Sequence, residues 1–123
     1  INTGHLQNIV EAMQSQRLYL NPELTLTDLA QTVQLTPNTV SHCLNVGLGK
    51  SFNDFVNGYR IEEVKRRLQT SDAERLTILG IAYESGFNSK TTFNRVFKET
   101  TGFSPKDYKN KSQTTLRDDR TGN

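Results

Sequence analysis

At 123 residues and 33% hydrophobic composition, the chain can bury one modest core or two small ones, which excludes a large multidomain enzyme. A formal charge of +2 and a pI near 8.8 neither require nor exclude a nucleic-acid partner. A lone cysteine offers no disulfide framework and no multi-thiolate zinc site, and no apolar run approaches the roughly 20 residues that span a bilayer. The absence of a signal peptide and the start at Ile1 read as a soluble, cytoplasmic fragment whose upstream partner domain lies outside this chain.

In chain order, an amphipathic stretch from Leu6 to about Leu20, with Ile9, Val10 and Met13, predicts a helix that covers the first helix-turn-helix unit. Leu26, Leu29, Ala30 and Val33 keep helical spacing. Thr36 then offers a cap oxygen, Pro37 suits the first helical position, and a second helix runs to about Val46, ended by Gly47 and Gly49. A Ser-x-x-acid box at Ser51–Asp54 opens a long helix. Phe52, Phe55, Val56, Tyr59, Val64 and Leu68 sustain it to about Gln69, some 25 Å at the usual rise. Ile78, Ile81 and Ala82 form the next inward stripe, Gly86 suits a positive φ, and Ser89 caps a helix reaching Thr100. A second box, Ser104–Asp107 with Pro105, starts a last helix over about 104–110, and residues 112–123 lack periodicity, the pattern of a disordered tail.

The chain repeats itself. A shift of 52 lays Leu24, Thr25, Leu26, Leu29 and Ala30 over Leu76, Thr77, Ile78, Ile81 and Ala82, and Gln34 over Gly86. After one inserted residue, Thr36, Val40, Cys43, Leu44, Gly49, Ser51 and Asp54 fall on Ser89, Phe93, Val96, Phe97, Gly102, Ser104 and Asp107. Each copy reads as helix, tight turn, helix, with small Ala30 and Ala82 where the helices cross. The fold class expected is all-α: two helix-turn-helix units, about 24–49 and 76–101, joined by a linker helix over about 52–69, within a domain spanning 1–111.

Function is sought on the outer faces. Against inward Phe93, Val96 and Phe97 stand Lys90, Thr91, Asn94, Arg95 and Lys98, a set that joins phosphate-seeking cations to the side chains that read adenine and guanine edges. Lys90, Thr91, Asn94 and Arg95 are therefore candidate base contacts. The equivalent set in the first copy, Asn38, Ser41 and His42, is polar but holds no fixed cation. Residues 1–57 carry two basic and four acidic side chains, and residues 89–111 six and two, so the second copy should anchor and the first add weaker or water-mediated contacts. Ser89, Lys98, Lys50, Ser51, Ser104 and Lys106 are candidate phosphate contacts. Plain capping by Asp54 and Asp107 is an equal alternative at the two serine boxes. Lys65, Arg66 and Arg67, close to Glu62 and Glu63, read as an ordinary solvated face.

Enzyme readings fare poorly. His42 and Cys43 are sequence neighbours about 100° apart on a helix, a poor base and nucleophile, and Cys43 reads as core. His5 and His42 with one cysteine make no recognised zinc spacing, so neither metal nor cofactor is expected. Tyr59, Tyr83 and Tyr108 read as packing residues.

From residue 24 to 110 the chain resembles the AraC/XylS family of bacterial transcription regulators. "LTLTDLAQTVQLTPNTVSHCL" is similar to its first helix-turn-helix, and "IAYESGFNSKTTFNRVFKETTGFSPKDYK" to its signature, with Ala82, Gly86, Phe87, Ser89, Phe93, Arg95, Phe97, Lys98, Gly102, Ser104, Pro105 and Tyr108 in place. The resemblance implies a seven-helix DNA-binding domain whose two second helices enter successive major grooves, about one helical turn (~34 Å) apart over roughly 20 base pairs. It also implies a separate sensing or dimerising domain. The family commonly has glycine where Gln34 stands, arginine at His42, and an aromatic and basic run at Leu44, Asn45 and Val46; these departures bear on how the first unit reads bases. A helical module gripping a protein partner such as RNA polymerase is the alternative, and salt dependence separates the two.

Overall fold

The computed structural model describes residues 3–111, and all regular structure among them is helical. The stretch expected to be a disordered tail lies outside the described residues. The chain divides into two compact units, Ile1–Tyr59 and Arg60–Asn123. Helix α4, Phe52–Leu68, begins in the first and ends in the second.

In the first unit, α1 spans Thr3–Gln16, α2 Leu26–Val33 and α3 Pro37–Leu48. Helix α2 starts because Thr25 Oγ1 accepts from the Asp28 amide (3.1 Å) while the Asp28 carboxylate accepts from the Thr25 amide (3.1 Å), satisfying two otherwise orphaned donors. Helix α3 starts on Thr36, which accepts from the Thr39 amide, with Pro37 at its first position. Ile9 and Met13 from α1, Leu29 and Ala30 from α2, Val40, Cys43 and Leu44 from α3, and Phe55 and Val56 from α4 form one core.

Two expectations change here. The first helix stops at Gln16, Arg17 takes a left-handed conformation (φ 51°), and Leu18–Leu20 is a short 3-10 turn. This break brings Tyr19 onto Tyr59, rings stacked with centroids 5.5 Å apart, and packs Leu18 on the core. Gly47 does not end α3 but lies inside it, where a Cβ would stand 2.7 Å from Leu6 Cδ2 of α1, so that leucine packs directly over the glycine. Gly49, at φ 67°, is the terminating residue.

In the second unit, α5 spans Asp72–Arg75, α6 Ile78–Glu84 and α7 Lys90–Thr101, and α8 is helical over 105–111. Its core joins Ile61, Val64 and Leu68 of α4 to Ile81, Ala82, Phe87, Phe93, Val96 and Phe97. Phe87, Phe93, Phe97 and Tyr108 run ring to ring with centroids 5.2, 5.7 and 5.4 Å apart, tying α8 to the core.

The repeat is realised in geometry. Thr77 caps α6 as Thr25 caps α2, and Ser89 caps α7 as Thr36 caps α3. Gln34 and Gly86 both have positive φ, and the next amide donates back to the alanine carbonyl in each copy, Leu35 to Ala30 (2.9 Å) and Phe87 to Ala82 (3.1 Å). Gly49 and Gly102 end α3 and α7 alike in the left-handed region. The all-helical class with two helix-turn-helix pairs and a long connecting helix stands. One element goes beyond the seven expected: α5, a single turn too short to show periodicity.

Candidate nucleic-acid interface

Helix α7 owes its start to Ser89, whose Oγ accepts from the Thr92 amide (3.2 Å), and its orientation to Phe93, Val96 and Phe97, all buried. With that side sealed, Lys90, Thr91, Asn94, Arg95 and Lys98 are exposed, and Ser89 is half-buried at the cap. Helix α3 repeats the arrangement. Val40, Cys43 and Leu44 are buried, Asn38 and His42 are exposed, and Ser41 is half-buried with the Asn45 side-chain Nδ2 donating to its Oγ at 3.4 Å. Lys50 and Ser51 are exposed just beyond α3.

At both serine boxes the hydroxyl oxygen accepts from the third amide of the next helix, Asp54 to Ser51 and Asp107 to Ser104, each 3.1 Å. That bond uses a lone pair and leaves the hydroxyl hydrogen able to donate. Capping and phosphate contact are thus compatible in one side chain.

The cations sort themselves by partner. Arg66 is paired with Glu63 at 2.9 Å, Lys65 with Glu62 at 3.2 Å, Arg75 with Asp72 at 2.6 Å and Arg95 with Glu99 at 3.3 Å. Lys109 Nζ donates to the Ala73 carbonyl (2.9 Å), and Lys111 lies over the Phe103 ring. Arg67 is only 12% exposed and bridges Asp72 (3.0 Å) and Glu84 (2.8 Å), so it is a tie between α4, α5 and α6 and not the solvated residue its neighbourhood implied. Lys50, Lys90, Lys98 and Lys106 make no ion pair with any acidic side chain among the described residues. All four belong to the candidate set.

Three of them meet in one place. Lys90, Asn94 and Lys98 of α7, Ser104 and Lys106 at the start of α8, and Ile78 and Leu79 at the start of α6 line an open groove of about 380 Å³. Sequence spacing separates Lys106 from Lys90; the Phe97–Tyr108 edge contact in the core brings their helices together. Thr91 and Arg95 lie outside the groove lining, on the adjoining ridge of α7.

Two features escaped sequence reasoning. Ile78 and Leu79 contribute to the groove as well as to packing, which no periodicity distinguishes. Glu99, four residues after Arg95, restrains the arginine, a spacing that was legible. Tyr83, expected to pack, is instead 46% exposed. Among the described residues no group of three or more His, Cys, Asp or Glu side chains is placed to hold a metal ion, and no helix is long and apolar enough to cross a membrane.

A family model described as a helix-turn-helix domain matches residues 29–111. The chain is 35% identical over 92 residues to an uncharacterized HTH-type transcriptional regulator of Staphylococcus aureus strain COL, covering 75% of this chain and 12% of that protein. It is 30% identical over 105 residues to the transcriptional activator RhrA of Rhizobium meliloti, covering 85% of this chain and 33% of that protein. The chain thus spans a third or less of the length of these curated relatives. Among solved structures, the C-terminal domain of AraT, a response regulator from Geobacillus stearothermophilus, matches with a TM-score of 0.71 at 28% identity, covering 85% of this chain and 84% of that one.

Proposed function

The chain belongs to the AraC-type helix-turn-helix family, and from that premise we propose that it binds double-stranded DNA sequence-specifically to regulate transcription in the bacterial cytoplasm. One observation carries the reading most directly: Lys50, Lys90, Lys98 and Lys106, whose ammonium groups make no ion pair, hydrogen bond or ring contact among the described residues, stand on α7 or at the starts of the segments that follow α3 and α7. Unpaired cations beside an exposed helix flanked by amide and hydroxyl donors suit a phosphate backbone, whose neutralisation releases counterions and supplies most nonspecific affinity.

In this reading α3 and α7 each enter a major groove, with a footprint of roughly 20 base pairs. Lys90, Thr91, Asn94 and Arg95 read bases from α7, and Asn38, Ser41 and His42 do so more weakly from α3. Lys50, Ser51, Ser89, Lys98, Ser104 and Lys106 hold the backbone. The role is binding, not catalysis. A sensing or dimerising domain elsewhere in the full-length protein, and contact with RNA polymerase, complete the proposal by analogy with regulators of this kind.

A module that only grips a protein is disfavoured by the family and by the unpaired lysines. The test is selection of bound sequences from a random duplex pool, followed by footprinting and a salt titration. A common motif and a steep log-log fall of affinity with salt are expected; recovery of an unenriched pool, or salt-indifferent binding, refutes the reading.

A further inference from the structure

We infer that the groove between α6, α7 and α8 seats one phosphodiester of the bound strand, so that Lys90 and Asn94 clamp the backbone and do not read a base. This rests on the DNA-binding reading and revises which side chains do what within it.

The helix geometry divides the outer face of α7 into two ridges. Lys90, Asn94 and Lys98 recur every four residues along one, and Thr91, Arg95 and Glu99 along another about 100° further round. Only the first ridge lines the groove, where it meets Ser104 and Lys106. Charge agrees with this division. The lining holds three lysines and no carboxylate, and none of the three has an acidic partner among the described residues, whereas Arg95 on the second ridge is paired with Glu99. A cleft of one sign focuses its field on a counter-ion, here an anion.

Hydrogen-bond chemistry points the same way. A base edge demands donors and acceptors in matched positions, whereas a phosphate asks only for donors. The lysines are pure donors, and Ser104 has already spent a lone pair on the Asp107 amide, leaving its hydrogen. Asn94 adds its amide hydrogens. Ile78 and Leu79 supply an apolar wall, suited to the carbon face of the deoxyribose next to the phosphate.

The experiment uses the duplex recovered by selection, with each backbone phosphate replaced in turn by a neutral methylphosphonate. The unaltered chain loses roughly tenfold in affinity at the one position that enters the groove. Lys90→Gln and Lys106→Gln each lose a similar factor on the natural duplex, have a salt slope shallower by about 1, and are much less sensitive to the methylphosphonate at that same position. Both side chains are exposed, and unchanged thermal unfolding confirms that each variant is folded. Repeating the selection with Lys90→Gln returns the same preferred sequence, while Arg95→Ala relaxes it. An altered preferred base with Lys90→Gln, or equal sensitivity of that variant to every methylphosphonate, overturns the inference and leaves DNA binding standing. Absence of duplex binding by the unaltered chain removes both.

Discussion

Gln34 and Gly86 hold the same left-handed turn in the two helix pairs, one as a glutamine at φ 59° and the other as a glycine at φ 109°. A side chain in that region crowds its own carbonyl, at a cost of about 1–2 kcal/mol, part of which glycine returns as lost unfolded-state entropy. Gln34→Gly therefore stabilises the first unit by up to about 1 kcal/mol, and Gly86→Ala destabilises the second by about 1 kcal/mol or more. Urea unfolding followed by circular dichroism checks both. A destabilising Gln34→Gly means that the glutamine side chain makes up for the strain.

A glycine of the opposite kind sits at Gly58, in the middle of α4 with helical backbone, where an added Cβ meets nothing within 4 Å. No turn and no close approach requires it. Gly58→Ala should raise stability by about 0.5–1 kcal/mol through reduced entropy of the unfolded chain. The measurement is the shift in urea midpoint at constant slope; a loss of stability would mean that bending at this position matters to the native state.

What was legible in the sequence was local. Caps at Thr36, Ser51, Ser89 and Ser104 act on the amide three residues ahead, and the buried stripes follow the helical period, so both can be read along the chain. What was missed depends on distant partners. Helix α5 is held by Arg67 on Asp72 and by Lys109 reaching the Ala73 carbonyl across 36 residues. The break at Arg17 answers to Tyr59, and Gly47 answers to Leu6. The candidate site divides similarly: its residue types were legible as outer-face donors, but the meeting of Lys90, Lys98 and Lys106 in one groove belongs to tertiary packing.

Acid should weaken the second unit through Asp72. Hydrogen bonds from Arg67 first and Arg75 second hold its carboxyl below the ordinary value of 3.8. Burial pulls on the Arg67 guanidinium, but bonds to Glu84 and Asp72 outweigh it and keep the charge. Because the folded value of Asp72 lies below the unfolded one, its contribution is fully present above 3.8 and is lost as pH falls through the depressed value. Asp72→Asn should be less stable than the parent near neutral pH, and the gap should narrow below pH 3.8. A gap that stays constant with pH would show that the carboxylate charge contributes nothing there.

On the proposed reading, the Arg95–Glu99 pair on α7 competes with base recognition. Their contact at 3.3 Å joins side chains 58% and 63% exposed, an arrangement worth only a few tenths of a kcal/mol, so guanine can outcompete it. Arg95→Ala should cost about 1–3 kcal/mol on the selected duplex and far less on random DNA, because a paired contact to one base is lost. Glu99→Gln acts differently. It removes a negative charge from the helix that approaches the polyanion, so affinity should rise for every sequence while the preferred motif stays the same. Fluorescence anisotropy with matched and scrambled duplexes separates the two effects. If Glu99→Gln instead blurred the motif, the carboxylate would be orienting Arg95 for its base, and the pair would belong to the recognition surface as a unit.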